Sequence, residues 1–436
     1  MNPQTESCAG ALPQAAEAEN IPSSRSSHPE LSRQRLRGKR AGMVVFSPYP
    51  SDPRPRRAAD ALLQEGMTLD LLCEGVEGSP RRERLGNLDV TRIPIRHHRG
   101  GGLSYAYQYS LFIFLSGATF AWRALRRRYD LIYVHNMPDI LVVSAWFPKL
   151  LGAKVILDQH DPMPELMRTI FGKEENSFSV RVLRYLEKWS FRRADLVVTV
   201  NEACRKIFSA RSCAAEKVAV VMNTPDEGIF PFRAARSYPS RKAGEPFVIM
   251  YHGSLVERNG VELAVDALAL AVEKVPAAEL RIYGSRSSYL DAVMEKVQRL
   301  GLGRHVRYLG PKKLEELVHE IQNCDVGVIP NQRNIFTDIN TPTRLFEYLS
   351  LGKPVIAPGT AGILDYFGPE CLFLFESGNA EELAERIEYV AGHPMEAIES
   401  AELGQQVYRE HTWSREREGL VGHVSSLLGS ENASAS

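Results

Sequence analysis

One unit recurs along most of the chain and decides what it can fold into: a short apolar run, a loop of glycine, proline or polar residues, then a stretch of helical period. It occurs at Ala41 to Ser47, Leu131 to His135, Lys154 to Asp158 and Asp195 to Val200. It restarts at Phe247 to His252 and continues through Leu280 to Ser285, Val306 to Gly310, Asp325 to Pro330, Val355 to Ala357 and Leu372 to Leu374. Runs that are apolar throughout, with no alternation, predict strands covered on both faces, and helices between them require parallel crossovers. The chain is therefore predicted to be α/β. At 436 residues it exceeds one comfortable core, so two such sheets are expected. Sheets of this kind hold ligands beyond the carboxyl ends of their strands, so the chemistry is sought there.

Hydrophobic content of 44% and charged content of 24% are those of a globular protein. The 53 basic side chains balance 53 acidic ones, but unevenly: residues 41–225 hold 26 Lys and Arg against 19 Asp and Glu, and residues 226–436 hold 21 against 30. A basic first half suggests an anionic neighbour such as a lipid headgroup surface. Nucleic acid is not expected as a partner, because no basic stripe comes with a recognition motif. The 6 cysteines lie far apart, without a C-x-x-C pair or a histidine at ligand spacing. No metal site and a cytoplasmic setting follow as expectations. Residues 1–40 have neither an apolar signal core nor a helical period and are expected to be a disordered tail, as are residues 429–436.

The densest stretch runs from Asn340 to Ala357, NTPTRLFEYLSLGKPVIA. Thr341 is placed to cap a helix, Pro342 suits its first position, and Gly352-Lys353-Pro354 stops it before the strand Val355 to Ala357. A helix start offers free N–H groups and a positive dipole end to a phosphate, and Arg344 adds a cation in the first turn. Glu347 follows one turn later on roughly the same face, where it can accept hydrogen bonds from a ribose diol. Asn340, Thr341, Arg344, Leu345 and Glu347 are thus expected to bind a nucleotide diphosphate; the plainer alternative is a solvated helix with a stop at Gly352. The loop after Phe247 to His252 contains Gly253, Ser254 and Arg258; its glycines permit close backbone approach, and Arg258 can reach a phosphate. Gly284 ends another strand and is expected at a base-binding edge.

In the first half, His135 with Asn136, and His160 with Asp161 and Glu165, follow two successive strands. The loop before the first helix carries Asp52, Arg54 and Arg56, and either approaches a substrate or is a stiff connection. Leu103 to Arg128 is aromatic-rich and ends in three arginines; a buried crossover helix is favoured over interfacial contact. Residues 177–193 space Val180, Leu183, Leu186 and Trp189 helically beside five Lys and Arg, which suits either a headgroup interface or a surface helix with extended arginines.

The 340–357 stretch resembles the donor-binding helix of the family-4 glycosyltransferases of the GT-B fold, whose bacterial branch reads P-x-K/R-L-F-E-Y followed by G-K-P-V-I-A. The segments VHNMPD at 134–139 and DQHDPMPE at 158–165 resemble the same branch, and the likeness covers about residues 41–428. It implies two Rossmann-like parallel-sheet domains facing a central cleft: an acceptor domain at 41–225, a nucleotide-sugar donor domain at 226–410, and a helix at 411–428 crossing back to the first domain. It implies a retaining enzyme that moves a hexose-type sugar from a UDP- or GDP-linked donor to a lipid-linked or saccharide acceptor. Surface polysaccharide synthesis is the implied setting, and the residues of 177–193 and the basic first half suit contact with the inner face of the cell membrane; no cofactor or metal is expected. Arg344 would meet the diphosphate, Glu347 the ribose, and His160 and Asp161 would lie beside the transferred sugar and acceptor. With Arg258, the residues Arg344, His160 and Asp161 form the implied catalytic set, and Arg56, His135, Asn136 and Glu165 the acceptor side. Three departures stand out: Ile339 replaces a first glutamate, with Asp338 beside it; Ser254 and Asn259 replace two loop cations; and prolines and arginines replace glycines in the first loop. A nucleotide-sugar epimerase of the same architecture and a non-catalytic nucleotide-sugar-binding scaffold stay open as readings.

Overall fold

The computed structural model describes residues 34–95, 102–235 and 245–429, with the backbone alone for 102–106. The described residues divide into two compact units, 34–223 with 414–429, and 224–413. Each is a sheet flanked by helices, mainly or wholly parallel as the recurring unit predicts and Rossmann-like as the resemblance implies.

The first sheet contains β1 (Arg40–Val44), β2 (Thr68–Glu74), β3 (Arg82–Leu85), β4 (Leu88–Ile93), β5 (Leu131–His135), β6 (Lys154–Gln159), β7 (Leu196–Thr199) and β8 (Val218–Val220). Its order is β3-β4-β2-β1-β5-β6-β7-β8, with β1 between β2 and β5. All pairs are parallel except β3 with β4, an antiparallel pair in which Leu85 faces Leu88. The apolar-run criterion does not find β3, because it is a charged, largely exposed edge strand. The topology reverses at β1, so the switch point lies between the carboxyl ends of β1 and β5, where His135 sits.

The second sheet contains β9 (Phe247–His252), β10 (Ala278–Tyr283), β11 (Val306–Tyr308), β12 (Val326–Val328), β13 (Val355–Pro358) and β14 (Phe373–Phe375). Its order is β11-β10-β9-β12-β13-β14, parallel throughout. The switch point falls between β9 and β12, whose carboxyl ends lead into Gly253 and Asn331. The helix Thr343–Ser350 packs directly on β12. A β-carbon at Gly327 would lie 2.4 Å from the Tyr348 ring, and the Tyr348 hydroxyl donates to the Met250 carbonyl at 2.7 Å. Glycine at 327 thus sets how closely this helix sits on the sheet.

Several expectations need correction. The tail drawn to residue 40 ends earlier, because among 34–40 Leu36 is buried and its N–H donates to the Glu65 carbonyl at 3.2 Å. Residues 224–235 are packed rather than a free linker: Phe230 is buried, and Gln405 Nε2 donates to the Arg233 carbonyl at 2.7 Å. The rest of that expected linker, residues 236–244, lies outside the described residues, as do most of both expected tails and the break at 97–101. The helix Gly102–Arg126 is not buried all round. Phe112, Ser116 and Phe120 face the core, whereas Tyr107, Phe114, Trp122 and Leu125 face solvent. No helix among the described residues is long and apolar enough to cross a membrane. The helix Phe178–Arg193 also differs from its expected face: Val180 and Phe191 are buried, Glu187 is buried with them, and Phe178 and Tyr185 are exposed. The final helix, Trp413–Leu427, packs within the first unit, where Glu416 Oε2 accepts from the Met222 N–H at 2.8 Å and Arg417 meets Glu65 at 3.3 Å.

Candidate active site

In the second unit, the stretch from Asn340 folds as the sequence suggested but starts later. The helix begins at Thr343, Pro342 is its cap, and the Thr341 hydroxyl donates to the Gly362 carbonyl at 2.6 Å instead of capping. Proline cannot accept a capping bond with a side chain, so the first N–H groups of the helix have no side-chain cap. Arg344 stands in that first turn. Its Nη1 donates to the Tyr251 hydroxyl and the His252 carbonyl, each at 3.2 Å, and its Nη2 to Asn331 Oδ1 at 2.5 Å. The guanidinium carbon lies 4.9 Å from the centre of the Tyr251 ring, and Nε is buried without a partner. Every one of these acceptors is neutral, and Arg344 has no ion pair among the described residues. A half-buried cation held by neutral groups at a helix start is a site for an anion.

Around it, Glu347 places Oε2 3.3 Å from His252 Nε2. Burial, and then the neighbouring Arg344 charge, lower the His252 imidazole to about 3, so it is neutral at physiological pH. Gly253 has φ +132, and a β-carbon there would lie 2.7 Å from Arg344 Nη1. Gly284 abuts the Gly253 carbonyl, and its own carbonyl accepts from the Tyr308 hydroxyl at 2.9 Å. Ser254 contributes its carbonyl to Tyr251 and Asn259, each at 2.8 Å, and its side chain is exposed. Arg258 lies on the turn Glu257–Asn259, with its carbonyl accepting from the Gln332 N–H at 3.1 Å. Its guanidinium has no ion-pair partner among the described residues. Asn340 ends the short turn Thr337–Ile339.

Not every expected donor residue lies in this group. Leu345 is wholly buried and belongs to the core. Ile339 is buried, and the Asp338 carboxylate is turned to Arg333, 3.0 Å from its Nε, so it does not take the place of the missing glutamate. Conversely, Tyr251, His252 and Asn331 belong to the site although sequence reasoning did not select them. His252 and Asn331 could have been found by the same strand-end rule that selected Gly253, since both lie at the switch point.

In the first unit, the ends of β5 and β6 come together. Asn136 Nδ2 donates to the Asp161 carbonyl at 2.7 Å and to Asp139 Oδ1 at 3.2 Å, and its Oδ1 accepts from the His160 N–H at 3.2 Å. Asn136 therefore holds the loop that carries His160 and Asp161. Asp139 also accepts from Gln159 Nε2 at 2.9 Å; burial, with Glu187 adding to it, pushes its carboxyl up to about 7. His135 lies against Tyr133 with its Nδ1 3.4 Å from Asp158 Oδ2, and burial lowers it to about 4.

His135, Asp158 and His160 bring ligand-type atoms within 4.8 Å of one another. Spacing along the chain could not show this cluster, because adjacent strands assemble it. Yet both Asp158 oxygens are engaged: Oδ1 by Arg54, with Nε at 2.8 Å and Nη2 at 2.7 Å, and Oδ2 by the Tyr133 hydroxyl at 3.0 Å. Burial raises the Asp158 carboxyl, but the Arg54 guanidinium, with His135 and His160 adding to it, more than offsets this and holds the group below the usual range. A cation here would sit against that guanidinium, so the cluster is better matched to an ion-paired support beneath His160 than to a metal.

The arginine engaged at this site is Arg54, not Arg56. Arg54 also donates to the Val221 carbonyl and Asn223 Oδ1, whereas Arg56 has no side-chain partner among the described residues. Glu165 is not brought to the group either. The helix Met163–Phe171 turns it inward, where Arg211 binds it at 2.5 and 2.9 Å and also binds the buried Glu187 at 2.8 and 2.6 Å.

Two family descriptions match the chain, "Glycosyl transferase 4-like domain" over residues 52–224 and "Glycosyl transferases group 1" over residues 234–407. The 2-deoxystreptamine glucosyltransferase of Streptomyces kanamyceticus is 23% identical over 399 residues, covering 86% of this chain and 98% of its own. Several other curated relatives are spanned over only about half their length. Among solved structures, sucrose-phosphate synthase from Thermosynechococcus elongatus aligns with a TM-score of 0.71 at 18% identity, over 90% of this chain and 100% of that one. Anabaena HepE in complex with UDP-glucose aligns with a TM-score of 0.65 at 18% identity, over 89% and 99%.

Proposed function

Because this chain belongs to the family-4 glycosyltransferases of the GT-B fold, we propose that it moves a hexose-type sugar from a UDP- or GDP-linked donor to a lipid-linked or saccharide acceptor in surface polysaccharide synthesis, with retention at the anomeric carbon. The observation that carries the donor half is Arg344: a cation at a helix start, with neutral partners only, beside Gly253, where no side chain intervenes. The solved complex of a similar fold with UDP-glucose supports a nucleotide sugar as the ligand class.

In this reading the diphosphate lies on Arg344 and the first N–H groups of Thr343–Ser350, with Arg258 as a second cation. Charge building on the leaving phosphate is met by these fixed donors without a metal. Glu347 holds the ribose, with its Oε2 3.3 Å from Nε2 of the neutral His252. The acceptor side is assigned to the first unit, where His160 and Asp161 stand on a loop braced by Asn136. The acceptor hydroxyl attacks from the face that the phosphate leaves, and the leaving phosphate takes its proton.

The test is release of UDP or GDP from a panel of UDP- and GDP-sugars by the purified protein, with membrane lipid extract as acceptor. One donor is expected to turn over, and Arg344→Ala and Glu347→Ala to lower turnover by about 10²-fold or more, as the loss of a preorganised donor does elsewhere. Binding of a donor with no release under any acceptor would overturn the transferase reading.

A further inference from the structure

The solvent face of the helix Gly102–Arg126 carries no charge over most of its length. Tyr107, Ser110, Phe114, Ala118, Trp122 and Leu125 follow one another at helical spacing and all are exposed, Tyr107 at 69%, Phe114 at 70%, Trp122 at 51% and Leu125 at 71%. The opposite face, through Phe112, Ser116 and Phe120, is already in the core. An outward face is normally the polar one, so an apolar outward stripe needs its own partner. The stripe also has a polar end. It runs into Arg126, Arg127 and Arg128, all exposed, and the Arg126 guanidinium lies 3.5 Å above the Trp122 ring.

This stripe does not stand alone. The helix packs against the segment Asp139–Ala145 and the helix Trp146–Leu150, and the former packs against Phe178–Arg193. Those neighbours expose Trp146 and Leu150, Phe178 and Tyr185. They are joined by exposed Arg181, Lys188, Arg192 and Arg193. Large aromatic side chains interleaved with arginine and lysine on one layer of the first unit match a surface that is apolar inside and anionic at its boundary.

We propose that this layer docks on an anionic phospholipid bilayer, with the 107–125 stripe lying in the headgroup boundary and Arg126 to Arg128 on the phosphates. No helix among the described residues is long and apolar enough to cross a membrane, and the contact proposed is a peripheral one. A second copy of the chain is the poorer fit, because an isologous contact would lay this arginine- and lysine-rich layer against an identical one. The docking residues differ from those that the sequence assigned, since Val180, Leu183, Leu186 and Trp189 turn at least partly inward. The proposal deepens the lipid-linked acceptor reading and rests on it for its purpose. Its test reads binding, so its failure and the failure of sugar transfer are separate results.

The full chain is sedimented with vesicles of phosphatidylcholine alone and with vesicles of equal parts phosphatidylcholine and phosphatidylglycerol. Binding to the mixed vesicles only, weakened by salt, is expected. The variant Phe114→Ser/Trp122→Ser/Leu125→Ser is expected to lose about tenfold or more of that partitioning, since each apolar side chain contributes to it. Arg127→Glu/Arg128→Glu is expected to lose the preference for phosphatidylglycerol. Both should keep the circular dichroism of the parent and its donor hydrolysis. Failure of the parent to bind the mixed vesicles, or equal binding by the triple variant, would overturn the proposal. So would a dimer of the parent in sedimentation velocity that the triple variant converts to monomer, which would assign the stripe to a second copy.

Discussion

The guanidinium of Arg344 fills the space that a side chain on residue 253 would need: a β-carbon built on Gly253 lies 2.7 Å from Nη1. The two residues come from different elements, the end of β9 and the first turn of Thr343–Ser350, and the absence of a side chain on one lets the other reach the His252 carbonyl. The φ of +132 at Gly253 adds a second reason for glycine there.

Gly253→Ala is therefore expected to push Arg344 off its three acceptors and weaken binding of the donor nucleotide by about tenfold or more. Gly310→Ala is the control. It has φ +74 with no atom within 4 Å, so it should cost about 1–2 kcal/mol of stability and leave nucleotide affinity unchanged. Calorimetric titration with UDP and GDP decides it; equal affinities for Gly253→Ala and the parent would mean that Arg344 does not hold the diphosphate.

Arg54 and Asp158 are both buried, and each is the main counter-charge of the other. Removing one leaves an uncompensated charge in the core, so Arg54→Met and Asp158→Asn should each cost about 3–5 kcal/mol in urea unfolding. The double variant should cost clearly less than the two together, because no lone charge remains. Strict additivity would show that the pair is not coupled.

The Asp139 carboxyl, raised to about 7 by burial and Glu187, ties protonation to stability. Between its ordinary 3.8 and about 7 the folded chain keeps a proton that the unfolded chain releases. The contribution of this group to stability therefore falls as pH rises across that window and levels off above it. Asp139→Asn removes this fall, so the stability of the variant relative to the parent should increase from pH 4 to 7. A difference that stays flat with pH would place the Asp139 carboxyl in the ordinary range.

Glu165 and His160 should separate cleanly. Glu165→Gln loosens the fork with Arg211 and is expected to lower stability by about 1.5–3 kcal/mol while turnover per folded molecule persists. His160→Ala should unfold like the parent and lose turnover. The opposite pattern, an inactive Glu165→Gln with unchanged unfolding, would return Glu165 to the acceptor side.

What could be read from residues alone was whatever depends on neighbours in the chain. Apolar runs such as Leu131 to His135 and Phe247 to His252 reveal strands because burial on both faces demands unbroken hydrophobicity, and the loops that follow them mark the ligand ends of parallel sheets. Arg344 and Glu347 were legible for the same reason, since one helical turn fixes their relation. The charged edge strand Arg82–Leu85 was not, because it buries too little to leave an apolar signature.

The rest depends on groups far apart in sequence. That Arg344 rests on His252 and Asn331, that Arg54 and not Arg56 meets Asp158, and that Glu165 is consumed by Arg211 are outcomes of strand order and helix rotation. Motif spacing shows that an arginine or a carboxylate is available; only packing decides which one finds a partner and which is left facing a ligand. The outward stripe at Tyr107 to Leu125 is the same lesson on a surface. Its sequence has large apolar residues on more than one side, and the core takes one side of the helix and leaves the other to solvent, because a sheet face can cover only one side of a helix.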